Sequence, residues 1–396
     1  MFTIAKRITR RAALAGLLGA ALATAACQST GLTGPGGAIG PQIDPRQPVQ
    51  VALLVPGGTG NADLDWLGRS LANSARMAAA DANGAQIDLR VYPTLPTEAS
   101  AVANAERAVN EGAKIILGPL FAESANAVGN AMKPRNINVL SFSNNDQIAG
   151  GNVYILGNTF QNVADRLVRY GVSQGLRRFL MVYENDAAGQ IGAAAIQTAI
   201  AQNGATLSGQ QQHALSQQSI DAIIPAITGA AKSGNIDAIF MTANQQAVLP
   251  YLTDRLVMAG VTSRDAQFMG LTRWDIPAAR LQLPGVQGGW FALPDTTLQA
   301  QFAQRYRAAY GEAPHELGSL GYDGVAVIAA LVASGNRNAV NTAGLTRASG
   351  FTGINGVFRL RPNGTIERGL AIATVTNGRV TVIDPAPRGF GRGFGF

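Results

Sequence analysis

Short apolar runs that stop at small or polar residues recur along this chain. Ile115-Ile116-Leu117 ends at Gly118-Pro119-Leu120-Phe121, and Ile137-Asn138-Val139-Leu140 ends at Ser141-Phe142-Ser143-Asn144. Such runs read as buried strands of a parallel sheet. Val49 to Val55, Ile87 to Tyr92 and Asn152 to Leu156 have the same character. Between them, Leu64 to Asn83, Thr97 to Glu111 and Ala122 to Lys133 carry apolar residues at helical spacing, the first closed by Asn83-Gly84 and the second by Gly112. Strands alternating with helices of this length predict βαβ units with right-handed crossovers.

The pattern then restarts. Helices are predicted over Phe160 to Gln174, Ala187 to Asn203, Ser219 to Ser233 and Gln245 to Ala259. Strands are predicted over Arg178 to Tyr183, Thr206 to His213, Ala238 to Thr242, Gln267 to Gly270 and Gly289 to Ala292. Helices follow at Thr297 to Tyr310, Leu317 to Ala333 and Asn341 to Ser349. Asn377-Gly378 between Leu370 to Val375 and Arg379 to Ile383 is a hairpin signal, so the chain finishes in antiparallel strands. The expected class is α/β, with two Rossmann-like lobes.

Composition adds an address. The chain has 396 residues, ample for two domains, and is 47% hydrophobic and 14% charged, which describes a globular protein. Lys6, Arg7, Arg10 and Arg11 precede an Ala/Leu/Gly run, so residues 1–27 read as a secretory signal. Removing those four charges lowers the net charge from +7 to +3, which gives no support to nucleic-acid binding. The segment Leu22-Ala23-Thr24-Ala25-Ala26-Cys27 resembles a bacterial lipobox, and the resemblance implies lipidation of Cys27. Cys27 is the sole cysteine, so no internal disulfide can form. Residues 28–48 read as a flexible tether reaching roughly 25 Å. Gln28, rather than Asp, after the lipidated cysteine implies the outer membrane by the lipoprotein sorting rule. Residues 385–396 read as an Arg/Gly/Phe tail without fixed structure.

In open α/β sheets, ligands sit beyond the carboxyl ends of the strands. Leu120, Phe121, Ser143, Asn144 and Asn145 are the first candidates on that ground. Gly58 and Thr59 end the first strand, Tyr183 and Asn185 end a strand of the second set, and Asn244 and Thr272 follow two others. Trp66 and Trp274 follow strand ends and can stack on a ligand; packing against a helix is the alternative. Chemistry of other kinds has no motif. There is no Gly-x-Ser-x-Gly and no Ser-x-x-Lys, and Gly57-Gly58-Thr59-Gly60 lacks the Gly-Lys-Ser/Thr of a P-loop. Two separated histidines, His213 and His315, do not make a zinc site. No catalytic residue, metal or cofactor is expected.

Several segments together resemble type I periplasmic binding proteins of the leucine/isoleucine/valine-binding class. They are Ala113 to Leu120, Gly189 to Gly204, Gln267-Phe268-Met269-Gly270, Leu320 to Val325 and Gly353 to Phe358. The resemblance covers residues 49–384. It implies lobe 1 at 48–158 and 294–360, lobe 2 at 159–293 and 361–384, a hinge of three crossings, and closure on a ligand. It also adds Tyr322, on the hinge-side helix, to the cleft candidates. Amino-acid receptors of this class hold the α-carboxylate with a Ser hydroxyl, which aligns here with Ala122. They pair the ammonium with an acid that aligns with Thr272, followed by Arg273. Asp186, Asp275 or Asp295 would have to substitute. In layout the chain resembles the lipoprotein subgroup of penicillin-binding-protein activators, which implies a regulator of a peptidoglycan synthase. The alternative is the solute receptor of an ABC importer for amino acids, amides or small peptides.

Overall fold

The computed structural model describes residues 40–243 and 247–390. Cys27, Asn244 and the end of the tail lie outside the described residues. Two sheets organise the chain. The first runs β2-β1-β3-β4-β5, from strands β1 (Val49–Pro56), β2 (Ile87–Thr94), β3 (Ile115–Leu117), β4 (Val139–Ser141) and β5 (Val153–Ile155). Every pairing in it is parallel. All eight residues of β1 are buried, as expected of a strand covered on both faces. The intervening helices are α1 (Ala62–Ala80), α2 (Glu98–Asn110) and α3 (Ala122–Met132).

A second set of elements follows: α4 (Phe160–Ser173), β6 (Arg178–Glu184), α5 (Ala187–Gln202), β7 (Thr206–His213), α6 (Gln217–Lys232), β8 (Ala238–Met241), α7 (Val248–Met258), β9 (Gln267–Gly270) and β10 (Trp290–Leu293). The chain then supplies α8 (Thr296–Tyr310), α9 (Ser319–Val332) and the single turn α10 (Thr342–Leu345). That turn is shorter than the sequence pattern suggested. Strands β11 (Phe351–Gly353), β12 (Gly356–Leu360) and β13 (Ile366–Arg368) form a small antiparallel sheet. Finally β14 (Ala371–Thr376) and β15 (Arg379–Asp384) join the second sheet, whose order is β15-β14-β10-β9-β8-β6-β7. Asn377 and Gly378, both at positive φ, make the hairpin turn between them.

Elements far apart in sequence share a layer. Helix α9 packs on α1 although some 250 residues separate them, and a Cβ on Gly321 would strike the Leu71 carbonyl oxygen. Leu320, Val325 and Ile328 of α9 join Val51, Leu53 and Leu117 of the first sheet in one core. The second sheet has cores on both faces, one around Ile239, Phe268 and Phe291 and the other around Phe179, Phe240 and Met269. The chain passes from the first sheet to the second after β5, returns after β10 to pack α9 on the first, and rejoins the second between β13 and β14.

A buried ion pair sits at this junction. Asp323 of α9 and Arg368 of β13 are both fully buried, with Arg368 Nη1 2.8 Å from Asp323 Oδ2. The carboxylate also accepts from Ile354 N at 2.6 Å and Asn355 Nδ2 at 2.9 Å. Arg368 donates through Nη2 to Leu156 O, and its backbone N–H donates to Asn162 Oδ1 of α4. Groups from both sets of elements therefore meet at one charge pair. At the end of the described chain, Phe390 lies under the Arg359 guanidinium at 4.7 Å.

Candidate functional site

A cleft of about 590 Å³ opens beyond the carboxyl ends of strands from both sheets. Five strand ends build it, one of them through Pro294 after β10. Leu120 and Phe121 follow β3, and Phe142, Ser143, Asn144 and Asn145 follow β4. Gly157 and Asn158 follow β5, while Thr272 and Arg273 follow β9. The turn after β3 needs glycine. Gly118 has φ of 90°, and a side chain there would strike the Leu54 carbonyl oxygen. A second cavity of about 610 Å³ lies beside α4 and β13. Two arginines in its wall are paired, Arg166 to Asp384 and Arg361 to Glu367, and none of the parallel strands of either sheet ends in it.

Polar groups converge on the cleft. Ser143 is buried, and its Oγ accepts from Asn145 N at 3.1 Å, leaving the hydroxyl proton to donate. Asn158 Oδ1 is buried with no hydrogen-bond donor. Thr272 donates its hydroxyl to Ala243 O at 3.3 Å. Arg273 is braced by Asp275, with Nε 2.8 Å from Oδ1. Arg280 donates Nη1 to Ile276 O at 2.8 Å, and burial pushes its pKa below the usual guanidinium value. Helix α3 begins at the cleft with Phe121 as its cap, so no side chain accepts from its first N–H groups. Ser319 and Asn355 line the far wall and bond to each other, and Asn355 reaches Asp323.

The structure thus brings together Leu120, Phe121, Ser143, Asn144, Asn145 and Thr272 from the sequence candidates. Others lie elsewhere. Trp274 is fully buried and stacks on Phe291 with ring centroids 6.3 Å apart. Gly270 and Gly289 leave the room its indole fills. It is a core residue of the second lobe, because packing against its own sheet buries more apolar area than a wet cleft would. Tyr322 points away from the cleft, donating its hydroxyl to Asp81 Oδ2 at 2.8 Å and meeting Phe302 edge-on. Thr59 binds Asp65 Oδ1 through both its amide and hydroxyl, closing the turn that follows Gly58. Neither is in the cleft wall. Trp66 packs edge-on against His315, whose pKa burial lowers, with centroids 4.8 Å apart. Asn185 Oδ1 accepts from Gln212, and Tyr183 packs on the second sheet's core.

Three acids offered as partners for an ammonium are committed to other work. Asp186 caps α5 by accepting from Gly189 N, and Asp295 caps α8 by accepting from Thr297 N and Leu298 N. Asp275 holds Arg273. Asn158 and Arg280 are additions that sequence reasoning missed. Asn158 follows β5 and is reachable by the strand-end rule. Arg280 sits in a 3₁₀ turn, Ala278–Gln282, that leaves no periodic mark.

A family model described as periplasmic binding protein matches residues 48–379. Curated proteins include no match. Solved structures of the same fold include a branched-chain amino acid ABC transporter periplasmic ligand-binding protein from Burkholderia xenovorans. It is 17% identical, covers 86% of this chain and 96% of its own, and has a TM-score of 0.68. An ABC transporter substrate-binding protein from Desulfitobacterium hafniense, in complex with Leu, is 17% identical. It covers 85% of this chain and 100% of its own, with a TM-score of 0.62. A solute-binding protein from Rhodopseudomonas palustris, in complex with 3,4-dihydroxybenzoic acid, is 15% identical. It covers 85% of this chain and 96% of its own, with a TM-score of 0.58. These titles describe transport receptors. At these identities the likeness shows the fold.

Proposed function

Since the chain belongs to the periplasmic binding protein family, we propose that it is the periplasmic solute receptor of an ABC importer. The observation that carries this reading is the cleft itself. It is ligand-sized, opens at the strand ends of both sheets, and is lined by donors with apolar residues around them. Relatives that bind leucine or dihydroxybenzoate support a small organic solute in that space. The two sheets are joined by three stretches of chain, which suits hinge closure around the solute.

A solute that binds only the folded state must raise the melting temperature. At a hundredfold excess over Kd the gain is about 2.7 kcal/mol. A thermal-shift screen against amino acids, organic acids, amides, sugars and muropeptides is expected to give at least one clear shift. No shift with any of them, together with capture of a peptidoglycan synthase, would sink the receptor reading.

Anchoring through a lipid on Cys27, on the outer membrane, is part of the same proposal. It predicts that Cys27→Ala moves the protein from the membrane fraction to the soluble periplasmic fraction, measured by cell fractionation. Unchanged membrane association of the variant would remove the anchor.

A further inference from the structure

The receptor reading leaves the chemistry of the solute open, and the walls of the cleft narrow it. Among the described residues, the charged side chains lining it are Arg273, Arg280 and Glu316. Glu316 is exposed, so water already solvates its carboxylate and it offers a weak counter-charge. Residues 244–246, the one internal stretch outside the described residues, are Asn-Gln-Gln and contribute no carboxylate. Asp186, Asp275 and Asp295 are spent on two helix caps and one arginine. An α-ammonium entering this cleft would lose water without meeting a buried counter-charge, which is unfavourable.

A carboxylate meets the opposite surroundings. The Ser143 hydroxyl has its proton to give, and Arg280 lines the same space. The first turn of α3 presents backbone N–H groups that no side chain caps, at the positive end of the helix dipole. Around these donors stand Leu120, Phe121, Phe142, Ile276, Leu317 and Leu320. Ile276 and Leu317, from opposite sides, are among the few large apolar residues left exposed in the described chain. That placement fits an apolar solute body completing the contact between them.

We propose that the solute is a small organic acid without an amino group, a carboxylate on a compact aromatic or branched aliphatic body. The inference rests on the receptor reading and goes further by excluding the free amino acids as the preferred class. Matched pairs test it by calorimetric titration of the purified full chain. The pairs are 4-methylpentanoate against leucine and 3-phenylpropanoate against phenylalanine, which differ only in the ammonium group. The uncharged 4-methylpentanamide is the third arm.

At least one acid is expected to bind roughly tenfold or more tightly than its amino-acid partner and than the amide, a difference of about 1.4 kcal/mol. Arg280→Gln is expected to cost the acid roughly tenfold in affinity. Ser143→Ala serves as the second variant, with circular dichroism to confirm folding. Leucine or phenylalanine binding as tightly as the acid, or the amide doing so, overturns the acid class and leaves the receptor reading standing. Binding of an unrelated solute alone from the broader screen does the same. No binding by any solute overturns both.

Discussion

Asp323 and Arg368 carry opposite charges with no water contact, and their surroundings decide what that is worth. Each charge is bonded to backbone or amide groups as well as to its partner. A pair of this kind contributes little over a well-packed apolar pair, but removing one member strands the other. Asp323→Ala is therefore expected to lower unfolding free energy by about 3–5 kcal/mol in urea titration. The double variant Asp323→Leu/Arg368→Met should recover most of that loss. A single variant within 1 kcal/mol of wild type, about the scale of an exposed pair, would show that the buried network is not stabilising in this sense. Trp274 teaches the same lesson from the apolar side. An aromatic residue just after a strand end looks like a ligand platform in sequence, yet two glycines from its own sheet make the indole a core residue.

At the scale of elements, the period of the apolar pattern carried most of the information. Continuous runs such as Val49 to Val55 can be satisfied only with both faces covered, and β1 is buried throughout. The strand-end rule then led to the turns after β3, β4 and β9, which meet at the cleft. The same rule reaches the turn after β5, where Asn158 lines the cleft. It failed at Tyr183 and Asn185 because which strand ends face the cleft depends on how the two sheets meet, and no local pattern encodes that. Sequence could not see helix packing either. Gly321 reads as an unremarkable helix residue, whereas it lets α9 approach the Leu71 backbone of α1. Gly321→Ala is expected to destabilise by about 1–3 kcal/mol in equilibrium unfolding, through forced separation of two helices. The intrinsic helix preference for alanine acts the other way by about 1 kcal/mol, so a net stabilisation would disprove the tight contact.

For the whole molecule, the order in which the layers are completed differs from the order of the chain. The first sheet is finished by Ile155, but α9, which joins its core, begins only at Ser319. The second sheet waits longer, since β14 pairs with β10 in its interior and lies within the last thirty residues. A chain emerging from its N-terminus therefore has an apolar face on its first sheet that α1 covers only in part for more than 150 residues of synthesis. Neither layer can lock until nearly all of the polypeptide has been made. The interleaving acts as a clock: the packing of each layer is timed by the arrival of the last quarter of the chain.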